Sequence, residues 1–329
     1  MARTYSVGVG SNEIADRRGV VRDDLATGRK RYEVIKDLMV GISSDGLTNR
    51  GAELGRVRGC QADHRLAVDT MPVSNMYTNR GVWIHAVSVL RPRAGARLAC
   101  GFVGSQGRLG ALVQMGALAS YPSDPYTKFL GTNSTLDVLG QEAGHRWMSF
   151  VRVAQNGTAS DEILGRDLAH WSFFMDSDAS DMEGNDIMDL GSGRFFETVG
   201  ATSRFSALDQ YLMGLIPPEQ VGPMFFVRNA SSDTTRVNPS SNPRIGVEFG
   251  GDRVDFTVDD IIAVEGERRP SAQDSNKTFN MAFVLLAPPD RPARAESIAK
   301  LQGIAREWVK YFSQATDGHG RVSTKINKR

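Results

Sequence analysis

The sequence predicts a mixed α+β fold, and three observations support that prediction. Apolar residues recur at helical spacing between residues 134 and 151, in a stretch that contains no proline. A second run with the same spacing extends from Ser206 to Leu215 and stops before Ile216-Pro217-Pro218. Runs that are rich in β-branched and aromatic residues, typical of strands, follow it in the chain. The predicted domain therefore combines helices with strands.

The start of the first helix carries the clearest local signal. Ser134 or Thr135 can serve as its N-cap, and Asp137 lies in its first turn. At the other end, Asn156-Gly157 is a turn pair that closes the segment. We therefore expect a helix across residues 134–151.

The remaining elements are predicted from apolar periodicity. The second helix is expected to turn Leu208, Leu212 and Leu215 toward the core. A helical period also runs from Glu296 to Phe312 and closes the domain. Strands are predicted at Phe225–Val227, Ile245–Val247, Val254–Val258 and Phe279–Leu286.

The chain is expected to divide into a small N-terminal region and one main domain. Residues 1–100 are predicted to be β-rich, with strands at Val82–Ile84 and Val87–Leu90, and their role is unknown. Residues 101–320 form the main domain, and residues 321–329 are predicted to be a frayed tail.

Composition and charge argue against several classes of function. The 329 residues carry 39 basic and 38 acidic side chains, so neither nucleic-acid binding nor electrostatic membrane attachment is favoured. No apolar run reaches the roughly 18 residues that a membrane-spanning helix needs. No signal peptide is visible, because the N-terminus lacks the apolar core of a secretory signal. Cys60 and Cys100 permit one disulfide and match no metal-binding motif.

The motif that carries chemistry is Gln141-Glu142-Ala143-Gly144-His145, the zinc pattern H-E-x-x-H with glutamine in place of the first histidine. Residues i and i+4 lie on the same face of a helix, so the side chains at 141 and 145 can reach one metal ion. The adjacent Glu142 can take a proton from a metal-bound water.

A third ligand has to come from another segment. The compact pattern H-E-x-x-H-x-x-G-x-x-H requires glycine at 148 and histidine at 151, where this chain has Met148 and Val151. Of the five histidines, His170 is the best placed, because it follows the helix and its loop. His64 and His85 are interpreted as structural.

The order of helix motif, distant histidine and later methionine resembles the long-spacer metzincins, the leishmanolysin-like zinc peptidases. Met182 follows His170 within an acid-rich stretch, and residues 205–218 resemble the helix after the methionine turn of those enzymes. Three segments resemble, more closely, a group of bacterial secreted metallopeptidase-like proteins: Gly140–Trp147, Leu164–Asn185 and Phe205–Pro218.

The resemblance implies a fold, a chemistry and a location. The fold would be a metzincin-like catalytic domain, with a twisted mixed sheet, an active-site helix and Leu112–Met115 as the edge strand that aligns a peptide or protein substrate. Zinc would be held by His145 and His170, Glu142 would act as general base, and Met182 would form a hydrophobic floor. The proteins it resembles are secreted, so an extracellular or periplasmic location is implied.

Gln141 departs from the family pattern at the first ligand position. An amide oxygen is a weaker donor to zinc than an imidazole nitrogen, and the exchange should cost at least about 10–100-fold in affinity. Weak zinc binding, binding with help from Asp176, Asp178 or Glu183, and no binding are all compatible with this change. The function is therefore either an impaired zinc endopeptidase or an inactive pseudopeptidase that binds a peptide or protein.

Two further predictions concern the surroundings of the site. Tyr211 can donate a hydrogen bond to the oxyanion of a tetrahedral intermediate, and an ordinary core tyrosine is an equally weighted interpretation. The stretch Asp176–Asp189 is acidic, but it lacks the glycine and glutamate of an EF-hand loop. A solvated turn is the favoured interpretation, and the alternative is a looser calcium site made of Asp176, Asp178 and Asp181.

Overall fold

The computed structural model describes residues 109–232, 236–287 and 293–324, together with six strand segments nearer the N-terminus. The predicted strand Val87–Leu90, both cysteines, His64 and His85 lie outside these residues.

Strands and α-helices are both present in the described residues. In chain order, the strands are β1 (Ser6–Gly8), β2 (Ile14–Asp16), β3 (Gly19–Asp24), β4 (Arg29–Tyr32), β5 (Asp37–Ser43), β6 (Val82–Ile84), β7 (Leu109–Ala117), β8 (Val153–Gln155), β9 (Thr158–Ser160), β10 (Asn185–Asp189), β11 (Phe195–Ala201), β12 (Met224–Ser231), β13 (Glu248–Phe256), β14 (Thr278–Ala287) and β15 (Arg321–Ser323). The α-helices are α1 (Thr135–Gly144), α2 (Ala207–Met213), α3 (Val258–Glu265) and α4 (Ala295–Ala315).

The chain forms two compact units. Unit 1 comprises Met1–Thr127, Thr278–Tyr311 and Arg321–Arg329, and unit 2 comprises Lys128–Lys277 and Phe312–Gly320. The mixed α+β class is confirmed, since helices accompany several antiparallel sheets in the described residues. The predicted domain at 101–320 contributes to both units. Among the helices that the structure describes, none combines the length and apolar character required to cross a membrane.

Unit 1 is organised around one sheet with the strand order β1-β14-β5-β6-β7. Its β7 contains the predicted edge strand and lies at one end of that order. On α4, Leu301, Ile304 and Trp308 are fully buried, and Trp308 donates a hydrogen bond to Met281 Sδ on β14. The frayed-tail prediction is wrong for residues 321–323, because β15 pairs in parallel with β14 and buries Val322.

Unit 2 contains α1, α2 and α3 and an antiparallel sheet with the order β10-β11-β13-β12. The long loop between β9 and β10 packs on this sheet, since Phe173 and Phe174 lie in one apolar core with residues of its strands. That core comprises Phe173, Phe174, Ile187, Phe196, Phe225, Val227, Val247 and Phe249. The loop also carries the third predicted ligand, so packing against the sheet restrains it.

Helix α1 begins where the sequence predicts and ends earlier. Ser134 is the N-cap: its Oγ accepts hydrogen bonds from Leu136 N and Asp137 N, and Asp137 accepts one from Ser134 N at 2.6 Å. The expected extension to residue 151 is wrong, because the helix ends at Gly144 with His145 as C-cap. The amides of Arg146 and Trp147 bond to carbonyls three residues back rather than four, which tightens the last turn and ends the helix.

Most of the later predictions are confirmed. Strands β12 and β14 contain two of the four predicted runs in full, β13 contains residues 254–256 of a third, and α2 buries its leucines as expected. The strand predicted at Ile245–Val247 is wrong, because this segment is a bend with Gly246 at φ +79°. Helix α3 includes Val258, which the sequence assigned to a strand. Asn156-Gly157, both with positive φ, form the tight turn between β8 and β9.

Candidate metal centre

The three predicted ligand residues converge on one point in unit 2. Gln141 and His145 lie one turn apart at the end of α1. Gln141 Nε2 is 3.0 Å from His145 Nε2 and 2.9 Å from His170 Nε2. The two imidazole rings are 4.8 Å apart between centroids and nearly perpendicular. The loop histidine therefore reaches the helix histidine although 25 residues separate them in the sequence (170 minus 145).

The position of His170 is set by a short 3-10 turn, Arg166–Leu168. Asp167 and Leu168 adopt positive φ angles of 58° and 52°, which turn the chain back on itself. His170 Nδ1 then lies 2.8 Å from the Arg166 carbonyl oxygen. A carbonyl can only accept, so Nδ1 carries the proton and the lone pair of Nε2 faces Gln141. Metal-binding histidines are commonly oriented by such a bond.

Both imidazoles are held in the neutral form. Burial lowers the pKa of His145 to about 3, and the adjacent His170 adds to this effect. Burial also lowers the pKa of His170, while Glu183 acts in the opposite direction. The Nδ1 atom of His145 is buried and makes no hydrogen bond of normal geometry with the described residues. Neutral imidazole is the form that binds a metal ion.

Glu142 follows Gln141 on α1 and is mostly surrounded by protein. Burial raises the pKa of its carboxyl to about 8, and the negative charge of Glu183 raises it further, whereas Arg166 lowers it. A carboxyl with a pKa near neutral pH can both accept and return a proton, as a general base must.

An arginine that sequence reasoning missed contacts the centre. Arg166 Nε lies 3.1 Å from Glu183 Oε2, and Nη2 forms a second, shorter bond to Glu183 Oε1. The same Nη2 is 3.2 Å from His170 Nε2. No motif contains this arginine, and only its place four residues before His170 hinted at its role.

Met182 is fully buried and packs against the end of α1. A Cβ at Gly144 would overlap Met182 Sδ, so the glycine allows the close approach. The Met182 carbonyl accepts a hydrogen bond from Trp171 N at 3.0 Å. A backbone hydrogen bond thus joins Met182, the predicted floor residue, to Trp171, which follows His170.

A buried carboxylate, also missed by sequence reasoning, ties these segments together. Asp209 Oδ1 accepts from Trp171 Nε1 at 2.8 Å, and Oδ2 accepts from Ser180 Oγ at 2.5 Å and from Ser206 N at 2.8 Å. Burial raises the pKa of Asp209 to about 6, although these donors act to lower it. Ser180 Oγ in turn accepts from Met182 N at 3.1 Å. Asp209 therefore holds both the loop that carries His170 and the segment that carries Met182.

The other predicted residues have different partners. In the described part of the chain, Tyr211 OH accepts a hydrogen bond from Arg268 N, and no hydrogen bond joins it to the histidines. Asp176 accepts one from Ile187 N and thereby aligns the start of β10. Asp178 is exposed and lies 3.9 Å from Arg204. Within residues 109–232, 236–287 and 293–324, no group of three or more His, Cys, Asp or Glu side chains is arranged to hold a metal ion.

Two of the three ligand positions in this centre, those of His145 and His170, suit a divalent cation. Two neutral imidazoles direct Nε2 lone pairs at one point, and the tautomer of His170 is set by a carbonyl, as in known zinc sites. The third position holds an amide, whose nitrogen faces the imidazoles in this structure. No protein-family model, curated protein or solved structure matches this chain.

Proposed function

We propose that this chain is a metallopeptidase-like protein of the long-spacer metzincin type, a zinc-dependent endopeptidase whose hydrolysis of peptide bonds is impaired by Gln141. The observation that supports the proposal is the convergence of Gln141, His145 and His170 at the end of α1, with Glu142 as the adjacent residue. Its substrates would be peptides or proteins outside the cytoplasm.

Each residue has a defined task in this proposal. His145 and His170 would hold the zinc ion, which polarises the scissile carbonyl and lowers the pKa of its bound water. Glu142 takes the proton from the attacking water and returns it to the leaving amine, a task that suits its raised pKa. The Arg166 carbonyl keeps His170 in the correct tautomer.

The impairment follows from the orientation of the Gln141 amide. Its N–H groups donate toward both Nε2 lone pairs, which are the same lone pairs that a metal ion needs. To act as a ligand, the amide must turn its oxygen inward and give up both hydrogen bonds. Its oxygen is then a weaker donor than the imidazole that the family pattern places there.

Zinc titration by calorimetry tests the proposal directly. We expect the Gln141→His variant to bind zinc about 100-fold more tightly than the unmodified chain, because it regains a nitrogen ligand and loses the competing N–H groups. The same variant should cleave an unstructured protein such as casein, and adding Glu142→Ala should abolish that cleavage. Gln220→His, at an exposed glutamine, is the matched control. Equal zinc affinity in the unmodified chain and the Gln141→His variant would refute the impaired site.

A second candidate function is a pseudopeptidase that binds peptides without cutting them. One observation favours it: the two N–H groups of Gln141 satisfy both imidazoles, so the centre is chemically complete without a metal ion.

Peptide affinity with and without a chelator distinguishes the two candidates. If the chain is a pseudopeptidase, fluorescence anisotropy with labelled casein peptides should give the same affinity in zinc and in EDTA, and the unmodified chain should cleave no casein at saturating zinc. Zinc-dependent cleavage by the unmodified chain would exclude this candidate.

A further inference from the structure

The Arg166 guanidinium joins two groups that both bind divalent cations. Its Nη2 atom contacts Glu183 Oε1 and lies 3.2 Å from His170 Nε2. A carboxylate oxygen and an imidazole lone pair therefore face each other across a single nitrogen atom that carries positive charge. The guanidinium has no lone pair and stays protonated at any relevant pH, so it occupies this place as a cation.

His170 does not need Arg166 as a partner. Its Nε2 has one lone pair, and Gln141 Nε2 lies closer to it, at 2.9 Å, than Arg166 does. Both donors point at the same lone pair, so His170 Nε2 keeps one hydrogen bond if either donor is lost. The position of Arg166 is set instead by its two bonds to Glu183.

Arg166 also has room to leave. Its side chain is 40% exposed, whereas that of Glu183 is only 15% exposed. Asp167 Oδ2, on an exposed side chain, lies 3.5 Å from Arg166 Nη1 and offers a second carboxylate on the solvent side. A turn of Arg166 toward Asp167 would leave the Glu183 carboxylate next to His170.

We propose that Arg166 is an internal cation that competes with metal for this centre, and that Glu183 serves as the third protein ligand, in place of Gln141, when Arg166 moves away. The inference rests on the proposed function in one respect, since the same two histidines hold the ion. Two imidazoles and one carboxylate form a ligand set suited to zinc. Metal occupancy would then be controlled by an ion pair rather than by the helix motif alone.

Zinc titration of variants at these two residues tests the inference. Arg166→Met keeps the apolar stem and removes the charge, and we expect it to bind zinc about 10–100-fold more tightly than the unmodified chain. The double variant Arg166→Met/Glu183→Gln should lose that gain, because the freed carboxylate is gone. Visible absorption of bound cobalt(II) provides a second readout, sensitive to ligand number and geometry and independent of activity.

Arg228→Met is the matched control. Arg228 makes the same two-bond pair with Glu162, at 2.6 Å and 2.5 Å, and no hydrogen bond among the described residues joins either of them to His145 or His170. Zinc affinity should not change in this control. If Arg166→Met does not fold, as judged by circular dichroism, Arg166→Gln takes its place in the same comparisons.

Two results would overturn the inference. One is zinc affinity in the Arg166 variant no higher than in the unmodified chain, and the other is a gain that survives Glu183→Gln. Neither result depends on the Gln141→His assays, which decide the proposed function. If Gln141→His bound zinc tightly and cleaved casein while Arg166→Met showed no gain in zinc affinity, only the inference would be removed.

Discussion

Replacement of Asp209 with alanine is expected to lower the free energy of unfolding by about 4 kcal/mol. The carboxylate is fully buried and accepts hydrogen bonds from Trp171 Nε1, Ser180 Oγ and Ser206 N. Alanine leaves all three donors buried without an acceptor, and each unsatisfied group costs about 1–3 kcal/mol. Asp209→Asn should be nearly as destabilising, because the asparagine NH2 group is a donor and would face donors that now bond to a carboxylate oxygen.

Urea unfolding at pH 7, followed by far-UV circular dichroism, measures this loss. Asp161→Ala, at an exposed aspartate of the same unit, is the matched control and should change the free energy by less than about 0.5 kcal/mol. A loss below about 1 kcal/mol in Asp209→Ala would mean that the three donors find other partners. In that case Asp209 would not be the residue that ties the loop carrying His170 to the segment carrying Met182.

Glu142→Gln is expected to stabilise the metal-free protein at pH 8 and to have little effect at pH 4.5. Burial raises the pKa of Glu142 to about 8 from an ordinary value of 4.5. Between these two values the folded state keeps the proton that the unfolded state releases, so the stability of the unmodified chain falls as pH rises. The difference between variant and unmodified chain should reach about 4 kcal/mol at pH 8, an upper bound because part of the side chain meets solvent.

Chemical denaturation in EDTA at pH 4.5, 6 and 8 tests this dependence. Glu162→Gln serves as a control of opposite sign, because hydrogen bonds from Arg228 lower the pKa of Glu162. That variant should be less stable than the unmodified chain at pH 8, with a difference that shrinks as pH falls through the lowered pKa. A constant difference for Glu142→Gln across the whole range would show that its carboxyl ionises normally in the folded state.

Local signals in the sequence were sufficient to predict where α1 starts and how its predicted ligands are spaced. The capping box at Ser134 and Asp137 depends on residues three apart, and Gln141 and His145 share a face because a helix has 3.6 residues per turn. The end of the helix was not predictable in this way. Apolar spacing continues to residue 151, while the backbone tightens after Gly144 and closes the helix there.

The division into two units is another feature that the sequence alone did not reveal. Unit 1 draws on three separate segments and unit 2 on two, so no single point in the sequence separates them. The prediction of one main domain at 101–320 followed the linear order of motifs. Strand pairing joins β5, β7 and β14 across more than 200 residues, a distance at which local patterns carry no information.

The sequence by itself determined the mixed α+β class, the helix that carries Gln141, Glu142 and His145, and His170 as the histidine to join them. Only the tertiary structure decided that the Gln141 amide faces both imidazoles and that Arg166 stands between His170 and Glu183. The physical reason is the distance along the chain over which each kind of interaction acts. Helix periodicity acts over four residues, whereas these contacts link side chains on separate segments whose approach depends on the buried core and on the Asp209 hydrogen bonds.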